Sequence, residues 1–427
     1  MYSIRRSSAA MNTTTSKGHT MRRKNASRTA QALALASGFA LLLAGCASSG
    51  GSGGGDDDVF TIGVLAPKTG SLAPYGVAME QGFEVAVDLI NADGGIGGKQ
   101  VEYILEDDQT DPKAASTQAS KLLNQDEVDV LIGTTSSATT LAVIPQVERA
   151  EVPFIYIAEG EAKTCDASGE EARRFIFGNG ATPEQKMDRF VPYMLENLGQ
   201  SVYFIGSDYV FPHFVNDITA DLVEENGGTV VAKDYAPLGT TDFSSYISKI
   251  QSADPDVLFI SVVGADGVAL VKQLTEFGIG DMKLTGIPSF AGEVLSGVSD
   301  IAQGVYTVDN YWEGLDNPEN QRFVEAFSAA YPDVRPVHPM AAVGTYSTLL
   351  MLKEAVEKAG STDGGAIADA LPGISVDSPA GTLTMGANHI VTAPMLLLQI
   401  EGDGYALIEN FGEVEHPGFS GCSSQDA

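Results

Sequence analysis

Cysteine, tryptophan, histidine and basic residues are all scarce in this chain of 427 residues. It has three cysteines, one tryptophan and five histidines, and 25 basic residues stand against 56 acidic ones. Three cysteines are too few for a disulfide framework or a four-thiolate zinc site. A formal charge of −31 repels phosphate backbones, so we expect no nucleic-acid partner. The 44% of hydrophobic residues still indicates a folded chain, and its length favours two domains. With nucleic acid excluded, we expect a small molecule as the partner.

Motifs for catalysis, cofactors and metals are also missing. No H-E-x-x-H occurs, no G-x-S-x-G elbow joins a strand to a helix, and no dinucleotide fingerprint opens the first strand–helix unit. The acidic run 106–108 lacks the spacing of a calcium loop, so we predict a solvated strand end. We therefore expect no covalent chemistry, no cofactor and no metal. A secreted hydrolase whose triad assembles only in space stays a remote alternative.

The first 45 residues differ from the rest of the chain. They contain seven basic residues and no acid, and residues 30–44 are apolar apart from Gln31 and Ser37. A basic start, a short apolar run and small residues predict a secretory signal. A chain that starts at Met21 would still contain such a signal. The sequence Leu43-Ala44-Gly45-Cys46 resembles the lipobox of bacterial lipoproteins, which implies lipid attachment at Cys46. A short membrane anchor with an incidental cysteine is the alternative.

A flexible tether is predicted over residues 46–58, which are almost entirely Ala, Gly, Ser and Asp. Such a coil reaches about 20 Å, enough to hold a globule near a membrane. Removing the seven positive charges of the leader from −31 leaves −38. This acidity fits adaptation to a salt-rich habitat, where charge is screened, and it equally fits plain solubility.

Short β-rich runs alternate with helical stretches from residue 59 onward. This alternation is typical of parallel sheets covered by helices on both faces, and about four units precede residue 178 while four more follow it. We therefore predict two similar α/β lobes. Two further helices, 318–330 and 340–358, precede a β-rich tail at 381–409 that breaks the rhythm and is able to return to the second lobe.

Three motifs, in order, resemble those of type I periplasmic binding proteins. They are Gly-Val-Leu-Ala-Pro-Lys-Thr-Gly at 63–70, Ile-Asn-Ala-Asp-Gly-Gly-Ile-Gly-Gly at 90–98 and Asp-Asp-Gln-Thr-Asp-Pro at 107–112. The resemblance extends over about 60–411, and it is strongest to the leucine-binding-protein group, which serves ABC importers. It implies two Rossmann-like lobes with parallel sheets, joined by a hinge that the chain crosses several times. The implied division is 1–45 signal peptide, 46–58 tether, 59–178 plus about 307–375 lobe 1, 179–306 plus about 376–411 lobe 2, and 412–427 tail.

Within this group, the branch that binds urea and short-chain amides is the most similar. The similar segments are Ile-Gly-Ser-Asp-Tyr-Val-Phe-Pro at 205–212, Ala-Glu-Gly-Glu at 158–161, and the turns at 262–264 and 377–381. Two residues depart from the branch: Ala158 replaces its usual tyrosine and His213 its usual arginine. A receptor for leucine, isoleucine or valine is therefore the principal alternative.

Ligand contacts from lobe 1 are expected where loops follow strands. The hydroxyl-rich loop 133–139 opens a helix, so Ser136 or Ser137 can hold a carboxylate or an amide oxygen, although a helix cap alone also explains one serine. The other candidates in this lobe are Ser71, Tyr156, Ala158 and Glu159. Two of them have a purely structural alternative: Tyr156 is equally explained as a core residue, and Glu159 as a solvated loop carboxylate.

Lobe 2 offers aromatic and polar candidates. Tyr209 and Phe211 are predicted to form a wall over a flat ligand, with Asp208 as an acceptor, or else to pack between helices. The loop 286–290, which contains the candidate Ser289, has no acid. Relatives that bind amino acids usually carry an acid there, and a desolvated ammonium without a countercharge is costly. An amino-acid ligand is therefore disfavoured unless Glu159, Asp208 or Asp266 substitutes.

The resemblance implies an extracytoplasmic lipoprotein that carries a solute to an ABC permease and its ATPase. The mechanism is closure of the two lobes around the small-molecule ligand, because only the closed state lets both lobes contact it. A monomer is the default. The ligand-sensing part of a signalling system is a further alternative, which the lipobox and the lack of a fused signalling domain disfavour.

A disulfide between Cys165 and Cys422 is predicted, since two cysteines remain in an oxidising compartment once Cys46 is lipidated. The intact mass of the mature protein should then rise by two hydrogens on reduction. An unchanged mass would show two free thiols instead.

Overall fold

A computed structural model describes residues 58–70, 72–157, 172–278, 282–288, 290, 292–334 and 337–416. All of these residues belong to one compact unit. No helix within these ranges is both long and apolar enough to cross a bilayer. The leader and most of the tether lie outside the described residues.

The first sheet contains five parallel strands in the order β2-β1-β3-β4-β5. Its central strands are buried on both faces, because helices follow the strands and cover the sheet. The strands are β1 Val59–Ala66, β2 Gln100–Asp107, β3 Val130–Gly133, β4 Phe154–Tyr156 and β5 Ile176–Gly178, and the helices are α1 Ala73–Ala92, α2 Pro112–Asn124 and α3 Ser137–Ala150.

The second sheet begins with five further parallel strands, in the order β10-β9-β8-β6-β7. They confirm the predicted alternation of strand and helix. The strands are β6 Ser201–Ser207, β7 Thr229–Ala236, β8 Val257–Ser261, β9 Lys283–Thr285 and β10 Tyr306–Asp309, and the helices are α4 Pro183–Asn197, α5 Val210–Glu225, α6 Ser244–Ala253, α7 Gly264–Glu276 and α8 Gly292–Val298.

Helices from the C-terminal part of the chain return to the first sheet. Helices α9 (Pro318–Ala330) and α10 (Gly344–Ala359) pack on α1, as does a π-helical turn at Pro339–Val343 that precedes α10. The sequence predicted one helix over 340–358, whereas the turn and α10 divide that stretch. The short helix α11 (Gly364–Ala370), which packs on α10, was not predicted.

The β-rich tail adds antiparallel strands to the second sheet. β13 pairs with β10 on one side and carries β14, and β12 and β11 continue the sheet beyond it. The second sheet is therefore mixed rather than parallel throughout. The strands are β11 Ser375–Ser378, β12 Gly381–Met385, β13 Val391–Glu401 and β14 Gly404–Val414.

The chain passes between the two sheets in three short segments, 179–182, 310–317 and 371–374. The first is anchored by Asn179, whose Nδ2 donates to the carbonyl of Gly344 at 3.1 Å and to Thr348 Oγ1 at 2.7 Å. Both acceptors lie in α10. The backbone N–H of Gly178 also donates to the carbonyl of His389 at 2.8 Å, so residues of three distant segments meet at the crossings.

Local signals explain several element boundaries. Asp111 caps α2 as predicted: its Oδ1 accepts from the backbone N–H of Ala114 at 2.8 Å, and Pro112 occupies the first turn. Gly133 ends β3 with a φ of +115°, and a Cβ there would lie 2.0 Å from the carbonyl oxygen of Leu65 in β1. Only glycine therefore lets the chain turn from β3 toward α3 at this point.

Gly133→Ala should lower the free energy of unfolding by about 3 kcal/mol, because the strained φ and the backbone clash both act. Gly360, the C-cap of α10, is the matched control: its φ is +62° and a Cβ there would meet nothing within 4 Å. Gly360→Ala should cost only about 1 kcal/mol. Urea denaturation of both variants measures the difference, and equal losses would contradict this account of Gly133.

Candidate functional site

A cavity of only about 20 Å³, room for about one water molecule, lies beside the carboxyl ends of strands of the second sheet. One wall comes from α1 and the segment before α10, and the other from α4 and the ends of β9 and β10. Loops at the carboxyl ends of parallel strands are the usual location of ligand sites in α/β proteins. The lining residues are Tyr75, Lys186, Ile287, Pro288, Thr307, Val308, Asp309, His338 and Met340.

A buried ion pair forms one wall of this cavity. Lys186 Nζ lies 3.1 Å from Asp309 Oδ1, with only 3% of the lysine and 11% of the aspartate side chain exposed. The same Oδ1 accepts from the backbone N–H of Asn310 at 2.8 Å. For the other oxygen, Oδ2, no donor occurs among the described residues. Asp309 therefore presents one satisfied and one unsatisfied oxygen beside the cavity.

Local structure holds both members of the pair. Lys186 lies in the first turn of α4, which begins with a capping box formed by Thr182 and Gln185. Gln185 Nε2 also donates to the carbonyls of Val391 and Val414 at 2.9 and 2.8 Å, which fixes this turn against the second sheet. Asp309 is the last residue of β10, between β9 and β13, so the sheet itself determines its position.

His338 faces Asp309 and Lys186 from the other wall. Its ring meets the ring of Tyr75 edge to face, with centroids 4.9 Å apart. Its Nδ1 accepts from the backbone N–H of Ala341 at 3.3 Å, which caps the π-helical turn. The pKa of His338 is lowered to about 4, mainly by burial, with Asp309 opposing the shift and Lys186 adding to it. The imidazole is therefore neutral at pH 7.

Asp107 and Thr110 position the loop that leads to Tyr75. Asp107 accepts from the backbone N–H groups of Lys68 and Thr69 and from the hydroxyl of Thr69, while Thr110 Oγ1 accepts from the N–H of Leu72. Asp108 is buried, and burial raises its pKa to about 6. The prediction that the run 106–108 is a solvated strand end was therefore wrong for Asp108, which turns inward beneath the loop.

The predicted lobe 1 residues lie at the ends of β3 and β4. Ser136 is the N-cap of α3, but its side chain makes no capping bond and its hydroxyl has no partner in the described part of the chain. Ser137 is buried in the first turn. Tyr156 is buried with its ring over Gly178 in β5, where a Cβ would lie 2.7 Å from the phenol oxygen. The structure thus leaves Ser136 the most available of the three.

The predicted lobe 2 residues surround the start of α5. Asp208 Oδ1 lies 2.9 Å from His213 Nε2, and the His213 ring stacks on Tyr235 with centroids 3.6 Å apart. Tyr209 precedes α5, is half-buried, and has a pKa raised by burial. Phe211 packs against the hydrophobic core, which is the alternative that the sequence left open. Asp208 thus already has a histidine partner.

Several predicted residues lie outside the described residues. Nothing in the structure bears on Cys46, on the Cys165–Cys422 pair, or on four ligand candidates, which are Ser71, Ala158, Glu159 and Ser289.

The structure brings together only part of the predicted site. Helices α3 and α5, which begin next to Ser136 and Tyr209, come into contact across the cleft. The polar cavity is instead lined by residues that the sequence did not single out, above all Lys186, Asp309 and His338. An acid as the last residue of a buried strand was an available signal for Asp309. Lys186 and His338 gave none, because their burial depends on contacts far away in sequence.

Lys186→Met should lower the free energy of unfolding by about 3 kcal/mol or more, because it leaves the Asp309 carboxylate buried without its counterion. The ion pair of Arg174 with Asp369 is the matched control, since 55% and 62% of these side chains are exposed. Arg174→Met should cost at most about 1 kcal/mol. The measurement is urea denaturation at pH 7, and similar losses in both variants would contradict a buried pair.

Comparison with known proteins identifies the family. A family model described as periplasmic binding protein matches residues 59–405. The Leu/Ile/Val-binding protein homolog 3 of Brucella melitensis is 27% identical over 339 residues, which cover 78% of this chain and 89% of that protein. The leucine-, isoleucine-, valine-, threonine-, and alanine-binding protein of Pseudomonas aeruginosa is 25% identical, with 76% and 85% covered.

Solved structures show the same fold. An ABC transporter substrate-binding protein from Sphaerobacter thermophilus has a TM-score of 0.75 at 27% identity, covering 84% of this chain and 99% of that one. A solute-binding protein from Rhodopseudomonas palustris in complex with benzoate has a TM-score of 0.76 at 23% identity, with 86% and 100% covered. The two-lobe α/β fold predicted from the sequence is thereby confirmed, and the chain belongs to the periplasmic binding protein family.

Proposed function

We propose that this chain is the extracytoplasmic solute-binding component of an ABC importer and that its solute is a small aliphatic amino acid. The lipid at Cys46 would hold it at the membrane, and the permease with its ATPase would receive the solute. The observation that carries the proposal is Asp309, which lines a cavity between the lobes and has one oxygen without a donor among the described residues.

Asp309 is able to pair with an ammonium group of the solute. The loop 286–290 lacks an acid, which disfavours an amino acid, but Ile287 and Pro288 from that loop line the same cavity as Asp309. The acid is thus supplied by the adjacent strand end. Lys186 balances the charge of Asp309, and a zwitterionic amino acid brings no net charge of its own. An ammonium is able to donate to Asp309 Oδ2 while Lys186 stays on Oδ1.

Apolar residues complete the cavity. Ile287, Pro288, Val308 and Met340 line it next to the charged pair. This combination of one ion pair with an aliphatic lining suits a small amino acid with an aliphatic side chain. The Pseudomonas relative is named for binding leucine, isoleucine, valine, threonine and alanine, and the Brucella relative is named as a homolog of a Leu/Ile/Val-binding protein, which supports the same class.

Lobe closure is the proposed mechanism. The cavity holds only about 20 Å³ and α3 and α5 touch across the cleft, so the lobes must move apart before an amino acid is able to enter. A solute would enter when the lobes separate and would favour closure, because only then do Asp309 and the opposite wall contact it together. The transporter would recognise the closed form.

Urea or a short-chain amide is the second candidate. An amide N–H is also able to donate to Asp309 Oδ2, and a neutral ligand needs no further countercharge beside the Lys186 pair. The resemblance of residues 205–212 to the amide-binding branch supports this candidate.

Thermal melting of the purified protein separates the candidates. A solute that binds only the folded state adds about 2.7 kcal/mol of stability at a hundredfold excess over its Kd. We expect a higher Tm with leucine, isoleucine or valine and no change with urea or acetamide. A shift with the amides alone would establish the second candidate, and no shift with any of them would contradict both.

A double variant tests the role of Asp309. Lys186→Met with Asp309→Asn removes both charges together, which avoids leaving one of them buried alone. Amino-acid affinity should fall by about tenfold or more, because the ammonium loses its charged acceptor. The exposed Asp333→Asn is the control and should leave affinity unchanged. Unaltered affinity in the double variant would exclude Asp309 as the acceptor.

A further inference from the structure

We infer that His338 donates a hydrogen bond through Nε2–H to an oxygen of the solute, from the lobe opposite Asp309. The inference rests on the proposed function and narrows its solute class. A solute held in this way must carry an oxygen acceptor next to its amino group, as an α-amino acid or its amide does, and a simple amine does not qualify.

The hydrogen bond at the other ring nitrogen determines which nitrogen donates. Nδ1 accepts from the backbone N–H of Ala341 at 3.3 Å, so Nδ1 carries the lone pair. A neutral imidazole has one proton, which must then be on Nε2. The lowered pKa of His338 is consistent with this neutral form at pH 7. Lys186 and Asp309 are the charged groups that influence it, and the Tyr75 ring lies against it.

The backbone around His338 directs its ring into the cleft. Side chains alternate along this segment: His338 and Met340 line the cavity between the lobes, whereas Val337 and Pro339 line a second cavity of about 330 Å³ beside Trp312. His338 itself has an extended backbone, with φ −72° and ψ 119°. The ring therefore lies on the side of the cavity between the lobes.

Nε2 has no hydrogen-bond acceptor in the described part of the chain. A partly buried N–H group without an acceptor costs free energy once the lobes exclude water, and a solute oxygen removes that cost. The π-helical turn that His338 caps packs on α1 and α10, which belong to the side of the first sheet. Lys186 and Asp309 belong to the side of the second sheet.

A solute that reaches both groups bridges the two lobes. Its ammonium would donate to Asp309 Oδ2 on one wall, and one carboxylate or amide oxygen would accept from His338 Nε2 on the other. Only a closed arrangement satisfies both contacts, so each contributes to closure as well as to affinity. An amine that lacks the carboxylate satisfies only the contact to Asp309 and should close the lobes less effectively.

The test compares leucine with 3-methylbutylamine, which has the same side chain and amino group but no carboxylate. Their Kd values are measured by isothermal titration calorimetry at pH 7 with the purified protein and three variants. His338→Phe keeps a ring against Tyr75 and removes the donor, whereas His338→Gln keeps an N–H donor. Tyr331→Phe removes a phenol that donates to Glu84 outside the cavity, and it is the control.

We expect His338→Phe to weaken leucine binding at least tenfold and His338→Gln to keep the affinity within about threefold of the wild type. Tyr331→Phe should have no effect on the affinity. Binding of 3-methylbutylamine should be weaker than that of leucine and should not change in His338→Phe. Wild-type affinity for leucine in His338→Phe would overturn the inference, and so would an equal loss for both ligands or no rescue by Gln.

The possible results distinguish failure of this inference from failure of the proposed function. If the wild type binds neither amino acids nor amides, the proposed function fails, and the inference fails with it. If the wild type binds a short amide instead of leucine, acetamide and ethylamine replace the ligand pair and the same three outcomes apply. If the wild type binds its solute and His338→Phe binds it equally well, only the inference fails.

Discussion

Two charged side chains that are both buried, Lys186 and Asp309, place the strongest constraint on this structure. Neither charge is tolerable in the interior without the other, so the first turn of α4 and the last residue of β10 must meet. Lys186 follows the first crossing between the sheets, and Asp309 immediately precedes the second. The ion pair therefore links two hinge segments at the base of the cleft, and the cavity forms around it.

The same pair makes one wall of the cavity polar while its own two charges balance each other. Lys186 occupies one oxygen of Asp309 and leaves the other for a donor, while His338 presents a neutral donor from the opposite wall. A solute with both a donor and an acceptor complements these groups, and aliphatic residues surround the rest of it. In the mechanism that we propose, affinity and closure would have a common origin, since neither wall alone would satisfy the solute.

Much of the fold was predictable because its signals are local. Alternating β-rich and helical runs located the strands up to β9, and Asp111-Pro112 marked the start of α2 through a side-chain cap and a proline in the first turn. The antiparallel pairing of β13 with β10 was not predicted, because it joins segments that are distant in sequence. The helix predicted over 340–358 has the right position, but tertiary packing on α1 gives its start a π-helical turn.

The site was less predictable than the fold. Ser136 stays a prediction: its side chain makes no capping bond, and its hydroxyl has no partner among the described residues. Phe211 packs against the hydrophobic core. The sequence left this open, because an aromatic residue in an amphipathic helix faces inward as readily as outward. Lys186 and His338 carry no sequence signal, because a lysine in a first turn is ordinarily solvated and only the assembled sheet buries this one. The sequence therefore predicted the lobes and the cleft, but not the groups at its base.

The central claim is that one solute spans the cleft between Asp309 and His338. A crystal structure of the protein grown with leucine tests it most directly. The account predicts one leucine in this cavity, which widens from about 20 Å³ to hold it, with the ammonium about 3 Å from Asp309 Oδ2 and one carboxylate oxygen about 3 Å from His338 Nε2. Leucine bound between the starts of α3 and α5, with neither Asp309 nor His338 in contact, would contradict it.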